Sequence, residues 1–166
     1  MTVAESSLAQ FQTDIDKWMA ENVPKNPGFL LPLTFLEVGT EQQLDFLRDW
    51  QHKLWQAGFL GMHWPTEYGG QGADPAYQGL VDKALTAHNA PIIFNTIGLN
   101  WTGPLLLDVG TEDDRKRYIK NILTGDDIWC QGFSEPDHGS DLGNVQTRAV
   151  RDGDEYVVNG SKVWTT

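Results

Sequence analysis

The hydrophobic pattern of this chain changes its period once, and that change limits the fold class. Up to about residue 125, apolar residues recur every three or four positions, which is the spacing of one face of an α-helix. Beyond it, apolar and polar residues alternate, which indicates β-strands. We therefore predict an α+β chain, with an all-helical domain over residues 1–125 and a β domain that begins within residues 126–166. The first helical stripe consists of Leu8, Phe11, Ile15, Trp18 and Met19.

Capping signals indicate where the next two helices begin. Thr40 with Gln43 three residues later has the pattern of a capping box, and Gly58 is placed to end that helix. Asp74 followed by Pro75 predicts the start of a third helix. Aspartate is a favoured N-cap residue, and proline is tolerated at the first helical position.

Two further helical segments follow before the pattern changes. Residues 91–110 are nearly all apolar or neutral, so we predict a buried helix or pair of helices, bent near Gly103–Pro104. Thr111 and Asp114 then begin a short charged helix that ends near Gly125.

The β segment is short and incomplete as a sheet. We predict a strand in residues 126–134, a hairpin over residues 145–160 that turns around Asp152–Gly153, and the start of another strand in residues 161–166. Three or four strands with one polar turn make a poor independent sheet. We expect further chain, or a partner chain, to complete the functional unit.

Composition excludes several classes of function. The chain has 12 Lys+Arg against 23 Asp+Glu, a net charge of -11, which does not favour nucleic-acid binding. Its single cysteine, Cys130, cannot form an internal disulfide. No apolar run reaches the ~18 residues of a membrane span, and the acidic N-terminus lacks signal-peptide or transit-peptide features. We expect a cytoplasmic protein.

Sequence patterns of the commonest catalytic sites are missing. None of the four histidines has the spacing or carboxylate context of a zinc-binding helix, so we predict no metal site. The chain also lacks a G-x-S-x-G nucleophile elbow, a G-x-G-x-x-G dinucleotide loop and a Walker loop. Its candidate chemistry therefore lies elsewhere.

The stretch FSEPDHGSD, residues 133–141, has the properties of a ligand-binding loop. Pro136 stiffens the turn, and Gly139 permits a positive φ and close approach of backbone to a ligand. Ser134 and Ser140 offer hydroxyls that donate or accept, and Asp141 can accept backbone N–H groups in an Asx-type turn. From the residues alone, the spacing favours a plain strand-to-strand connection with an Asx turn over a ligand-binding loop.

Three motifs in order resemble the acyl-CoA dehydrogenases. WPTEYGGQG at 64–72 is similar to the family's P-x-E-Y-G-G loop, and SEPDHGSD at 134–141 to its T/S-E-P-x-x-G-S-D loop. NGSKVWTT at 159–166 is similar to its N-G-x-K-x-W-I-T strand. The resemblance implies a helical N-terminal domain, the opening strands of a β-barrel or sandwich domain, and a C-terminal helical bundle that is absent from this chain.

The resemblance also implies a cofactor, FAD, and places it against the β domain. Ser134 would stand as a hydroxyl donor in the family's usual threonine position, and Ser140 would also meet the acyl-CoA substrate. Trp164 would pack on the isoalloxazine, and Thr166 would present its hydroxyl toward flavin N5, where a donor favours the charge that builds on reduction. The implied cofactor-binding residues are Gln131, Phe133, Ser134, Gly139, Ser140, Trp164, Thr165 and Thr166.

The implied activity is that of an oxidoreductase of lipid and fatty-acid metabolism. An acyl-CoA thioester would lose its α-proton and β-hydride to give a trans-2-enoyl-CoA, and electrons would pass to an electron-transfer flavoprotein. The family's usual base is a glutamate of the C-terminal bundle. No residue here matches it, and we expect Glu135 to be structural. These 166 residues alone would thus be inactive, and the resemblance implies a tetramer or another homo- or hetero-oligomer.

Alternatives within the same scaffold stay open. One alternative is a non-catalytic subunit that binds FAD or acyl-CoA or pairs with a catalytic chain. Another is an enzyme related to acyl-CoA oxidases, flavin monooxygenases or nitroalkane oxidases. Asp137–His138 replaces the small residues of many members, which would alter the pocket. Two interpretations of residues 92–107 stay open: they line an acyl tunnel, or they pack as buried helix. Asn95, Gly98 and Trp101 are the positions to test. Fatty, branched, aromatic and steroid acyl groups all remain possible.

Overall fold

The computed structural model describes residues 7–25 and 27–165, and they form two compact units. The first unit ends at Trp129 and is helical, and the second begins at Cys130 and contains the strands. This order confirms the predicted fold class. The elements are α1 (Leu8–Asn22), α2 (Glu41–Gln56), α3 (Ala76–Ala87), α4 (Gly103–Val109), α5 (Glu112–Thr124), β1 (Arg148–Asp152) and β2 (Glu155–Asn159).

Helices α1 and α2 begin at capped residues. The Ser7 hydroxyl accepts from the backbone N–H of Gln10, and the Thr40 hydroxyl accepts from that of Gln43. The Gln43 side chain reaches back to the N–H of Gly39, one residue earlier than a capping box requires. The predicted start of α2 is therefore confirmed, with a shifted return bond.

The core of the helical unit is rich in aromatic side chains. The rings of Phe11 on α1 and Tyr77 on α3 meet edge to face, with centroids 5.0 Å apart, while Trp18 and Trp50 stack at 5.9 Å. Burial of such rings contributes both apolar area and specific geometry. The predicted apolar stripe of α1 is confirmed at its buried positions Phe11, Ile15 and Met19.

Two buried amides, Gln51 and Asn95, fasten the end of α5 to the rest of this unit. The Gln51 amide donates to the carbonyls of Ile122 and Leu123, at 2.9 and 3.0 Å. The Asn95 amide donates to the carbonyls of Ile122 and Asp127, at 3.0 and 2.9 Å. Each side chain thus supplies donors to carbonyls that the helix end leaves open.

The Asn95 network also decides where the first unit ends. The Asn95 side-chain oxygen accepts from the N–H of Trp129 at 3.2 Å, and the Trp129 ring meets that of Tyr118 edge to face. Residues 126–129 therefore pack onto the helices. The hydrophobic period changes at residue 125, but the compact unit extends to Trp129.

Within the segment of residues 91–110, residues 96–109 are helical, and the segment is only partly buried. A π-helical turn at Gly98–Thr102 leads directly into α4, which fits the bend predicted near Gly103–Pro104. The prediction of a wholly buried segment is wrong, because the first unit covers only one side of it. The exposed side consists of Trp101, Leu105 and Val109.

The charged helix α5 has the predicted ends. Thr111 and Asp114 form a complete capping box, in which each side chain bonds the backbone N–H of the other. Gly125 ends the helix with φ 83°, a left-handed conformation that favours glycine. Gly58 likewise follows α2 with φ 80°.

The second unit contains one antiparallel hairpin. β1 pairs with β2, and the register joins Asp152 to Glu155, so the turn consists of Gly153–Asp154. This confirms the predicted hairpin. The predicted strands in residues 126–134 and 161–165 do not form, because an extended segment becomes a strand only through a ladder of hydrogen bonds. Every residue of β1 and β2 is exposed in this chain.

The described residues contain neither a membrane-spanning helix nor a cluster of metal-binding side chains. No helix within residues 7–25 and 27–165 combines the length and apolarity needed to cross a membrane. The same part of the chain holds no group of three or more His, Cys, Asp or Glu side chains that could bind a metal ion.

Replacing Asn95 with alanine tests the amide network. Asn95→Ala removes partners of the Asp127 carbonyl and the Trp129 N–H, so we expect the free energy of unfolding to fall by about 3 kcal/mol. The control Asn100→Ala changes an exposed asparagine and should cost less than about 0.5 kcal/mol. Denaturant unfolding of both variants measures the difference, and equal losses would contradict the role assigned to Asn95.

Candidate functional site

Two predicted segments, residues 131–141 and 159–165, lie side by side in the second unit. The backbone N–H of Val163 donates to the carbonyl of Ser134 at 2.9 Å. The Lys162 ammonium donates to the carbonyl of Phe133, also at 2.9 Å. Residues far apart in the sequence thus form one surface.

The loop of residues 131–141 contains a tight turn at its centre. The N–H of Glu135 donates to the carbonyl of His138, and the N–H of His138 donates back to the carbonyl of Glu135. This pair of bonds places Pro136–Asp137 at the tip of the turn, exposed to solvent. Of the two residues that depart from the family pattern, Asp137 lies at this tip and His138 closes the turn through its bonds to Glu135.

Glu135 is the one buried side chain of the loop, with 6% of its surface exposed. Its carboxylate accepts from the backbone N–H groups of Gln146 and Thr147, at 2.6 and 2.9 Å, and from Lys162 at 2.9 Å. The carboxylate therefore joins three segments of the second unit. These contacts support the structural role that the sequence predicts for Glu135.

The surroundings of Glu135 keep its carboxyl ionised. The Thr147 side chain, the Gln146 backbone N–H and the Lys162 ammonium hold the pKa of Glu135 far below its usual range. The Thr147 hydroxyl stands beside the carboxylate, although its geometry does not complete a hydrogen bond. An ionised carboxylate with its oxygens already bonded is a poor proton acceptor.

Gly160 is required by packing against Thr147. A Cβ at Gly160 would overlap the Thr147 side chain, and this glycine has φ 156°. Close approach of two backbones is one of the uses to which glycine is suited. The glycine of the NGSKVW motif thus lets residues 159–162 lie against the segment that enters β1.

Gly139 has no such structural requirement. Its φ is not in the left-handed region, contrary to the use suggested by the sequence, and a Cβ added there would meet no atom within 4 Å. Within the described part of the second unit, the N–H groups of Gly139 and Ser140 bond no protein acceptor. This open space with free donors has the chemistry that phosphate or carbonyl oxygens of a ligand need.

The other predicted cofactor residues differ in exposure. Trp164 is 88% exposed and has φ 54°, an uncommon conformation for a residue other than glycine. Phe133 and Thr165 are also exposed, whereas Gln131 and Ser134 are half-buried. Thr166 lies outside the described residues. Hydroxyls and backbone N–H groups can donate hydrogen bonds to a flavin dinucleotide, and exposed aromatic rings can stack on its ring system, so the residues present fit this cofactor.

The third motif, residues 64–72, lies in the helical unit and is largely packed. Trp64 and Tyr68 are buried, which supports packing over ligand contact for both. The Tyr68 hydroxyl donates to the Glu112 carboxylate at 2.6 Å, and the Trp55 indole donates to the carbonyl of Gly69 at 3.0 Å. These bonds tie the motif to α2 and α5.

A cavity of about 530 Å³ opens within the helical unit. Ile93, Thr96 and Leu99 contribute to its wall, so the segment predicted to line an acyl tunnel does border a cavity. The three residues proposed for testing do not line it, since Asn95 and Gly98 are buried in the amide network and Trp101 faces out. Sequence periodicity did not predict the other residues that line this cavity, which include Leu60, His63, Asp82 and Leu85.

Comparison with family models identifies the class of protein. Residues 33–126 match the acyl-CoA dehydrogenase N-terminal domain, and residues 130–166 match the acyl-CoA dehydrogenase middle domain. The chain belongs to the acyl-CoA dehydrogenase family. The resemblance predicted from the three motifs is confirmed.

Individual relatives agree with this assignment. Acyl-CoA dehydrogenase IpdE1 of Mycobacterium tuberculosis is 35% identical over 160 residues, covering 96% of this chain and 41% of the relative. The solved Tcur3481-Tcur3483 steroid ACAD is 34% identical with a TM-score of 0.71, covering 96% of this chain and 39% of that one. The ChsE4-ChsE5 complex from Mycobacterium tuberculosis is 28% identical with a TM-score of 0.72, covering 100% and 40%. The chain thus spans about two fifths of these relatives.

Removing the Tyr68 hydroxyl tests the bond that ties the EYGG motif to α5. Donation by Tyr68, followed by the contact with Lys116, lowers the pKa of Glu112, so Tyr68→Phe should raise that pKa toward 4.5. Carboxyl titration followed by NMR measures the shift. Tyr156→Phe, at an exposed position of β2, should leave the Glu112 titration unchanged. An unmoved pKa in Tyr68→Phe would contradict the assignment.

Proposed function

We propose that this chain forms part of an FAD-dependent acyl-CoA dehydrogenase, a cytoplasmic oxidoreductase of lipid or fatty-acid metabolism. It would convert an acyl-CoA thioester to a trans-2-enoyl-CoA and pass electrons to an electron-transfer flavoprotein. The single observation that carries the proposal is the pairing of residues 131–141 with residues 159–165. That pairing brings together the two segments that carry the residues which the family resemblance assigns to the flavin, apart from Thr166, which lies outside the described residues.

The chain's own residues would bind and orient the cofactor. Ser134 is half-buried and offers a hydroxyl, and the bond from the Val163 N–H to the Ser134 carbonyl holds the backbone that carries it. Trp164 offers an exposed ring that can cover the isoalloxazine and exclude water. When bound, the flavin supplies the two-electron acceptor for the hydride that leaves the β-carbon. Gln131, Phe133, Thr165 and Thr166 complete the proposed flavin contacts.

Phosphate and substrate contacts would come from backbone and hydroxyl donors. Among the described residues, no acceptor bonds the N–H groups of Gly139 and Ser140, and a Cβ added at Gly139 would meet no atom within 4 Å. The Ser140 hydroxyl is on an exposed residue beside them. Such groups bind oxygens without a cluster of basic residues. The nearby Lys162 is already committed to Glu135 and the carbonyl of Phe133. We propose Ser140 as the residue shared by FAD and acyl-CoA.

We propose that none of these 166 residues is the base that removes the α-proton. Glu135 is excluded because it is buried, fully bonded and ionised. A base must reach the proton of the bound substrate and accept it near the working pH. Sequence beyond residue 166 or a partner chain would supply that carboxylate.

A second candidate is a non-catalytic subunit of the same fold. It is favoured by the similarity to the ChsE4-ChsE5 complex, which contains two different chains. Such a subunit would contribute flavin or acyl-CoA contacts while its partner contributes the base. We expect an oligomer in both cases, a homo- or hetero-oligomer in the first and a hetero-oligomer in the second.

Anaerobic turnover by the full-length protein, with its co-purifying partner if one exists, tests the proposal. We expect bound FAD to be bleached by a member of a panel of fatty, branched, aromatic and steroid acyl-CoA esters, with transfer of electrons to an acceptor dye. Rapid reoxidation of the flavin by O2 would instead favour an oxidase or monooxygenase. Activity only after addition of a second chain would favour the partner-subunit candidate.

Thr166→Val tests the proposed contact with flavin N5. Loss of the hydroxyl should slow flavin reduction by about tenfold or more, because a donor placed where charge develops typically contributes that much. Stopped-flow reduction by the best acyl-CoA measures the rate. Thr13→Val, on the exposed surface of α1, is the control and should reduce at the wild-type rate. Equal rates for both variants would contradict the role of Thr166.

A further inference from the structure

We propose that Glu135 and Lys162 form a positioning pair that sets the geometry of the flavin-facing surface and, through it, the rate and potential of flavin reduction. The inference rests on the proposed function, because it assigns the surface to FAD. Neither side chain is proposed to touch the flavin or the substrate. The pair acts through the two segments that it joins.

Lys162 links both sides of the pairing at once. Its ammonium donates to the Phe133 carbonyl and to a Glu135 carboxylate oxygen, both at 2.9 Å. Phe133 and Ser134 lie just before Glu135, and Trp164 lies two residues after Lys162. The ammonium therefore spans from the segment that carries Trp164 to the backbone beside the Ser134 hydroxyl.

Glu135 extends the same connection to a third segment. One carboxylate oxygen accepts from Lys162 and from the N–H of Thr147, and the other accepts from the N–H of Gln146. All three of these groups are donors, so both terminal atoms of the side chain must accept. Only an ionised carboxylate has an acceptor oxygen at both positions. A glutamine at this position would present an NH2 group to at least one of these donors.

This pair differs from the other ion pairs of the described residues. The pairs Arg48–Asp45 and Lys116–Glu112 lie on the helical unit, as does the contact between His88 and Asp16, and each has a partner at least 45% exposed. Glu135 and Lys162 have side chains only 5% and 30% exposed. Exposed pairs contribute little, whereas removing one member of a buried pair leaves an uncompensated charge.

Small displacements of the flavin-facing residues would carry a large kinetic cost. A misplacement of about 1 Å can lower a rate by about a hundredfold. Loss of the Lys162 ammonium frees the Phe133 carbonyl and removes one donor from Glu135, so the loop and the Trp164 segment lose their side-chain link. The Val163–Ser134 backbone bond remains, which lets the variant keep its fold.

The experiment uses the full-length holoprotein, with any partner chain it requires, and compares Lys162→Met, Lys162→Arg and Glu135→Gln. Lys116→Met is the matched control, since it removes a lysine from an exposed ion pair in the helical unit. The measurements are the visible spectrum and midpoint potential of the bound flavin, and kcat and KM for the acyl-CoA that reduces the wild type.

We expect Lys162→Met and Glu135→Gln to lower kcat by about ten- to a hundredfold. KM should change by less than about threefold, and both the flavin spectrum and its potential should shift. Lys162→Arg should restore most of the rate, and Lys116→Met should match the wild type. In a double variant that combines Lys162→Met with Glu135→Gln, the losses should not add, because the two residues form one interaction.

Two results would overturn the inference. One is a Lys162→Met holoprotein with wild-type flavin spectrum, potential and kcat. The other is a failure of Lys162→Arg to recover any of the lost rate while Lys162→Met remains folded. If Glu135→Gln does not fold, the comparison of Lys162→Met with Lys162→Arg tests the inference alone. A wild-type protein that binds no flavin would refute the proposed function itself, and is recognised before any variant is made.

Discussion

The structure depends on how a few buried polar side chains meet the backbone groups around them. In the helical unit, Gln51 and Asn95 give their amide donors to carbonyls at the end of α5 and just beyond it. Leaving such groups unbonded away from water would cost about 1–3 kcal/mol each. The amides therefore determine that α5 ends against α2 and that residues 126–129 belong to the helical unit.

In the second unit, one buried carboxylate bonds the backbone groups around it. Its hairpin buries none of its strand residues, so apolar packing between β1 and β2 contributes little to its organisation. Glu135 instead collects two backbone N–H groups and the Lys162 ammonium. That arrangement joins the SEP loop to the NGSKVW segment and leaves the Phe133 and Trp164 rings and Ser140 exposed, with Ser134 half-buried.

Sequence reasoning succeeded where local signals act alone. The Thr111–Asp114 capping box, the glycine after α5 and the two-residue hairpin turn depend on neighbours within a few positions, and all three are present. It failed for the strands in residues 126–134 and 161–165, because pairing requires a partner that periodicity cannot supply. It also failed for Trp101, Leu105 and Val109, since an apolar segment does not indicate which side a neighbour covers.

The sequence by itself determined the family, through three ordered motifs, and the order of a helical part followed by a β part. It also named the segments of the proposed flavin surface. Only the tertiary structure decided that Glu135 is the buried centre of that surface, that Asn95 is structural, and that Gly139 stands in open space. The physical reason is that the roles of Glu135 and Asn95 depend on hydrogen bonds across 11 to 34 positions of the chain, and the space at Gly139 depends on which other segments approach it. No local pattern specifies either.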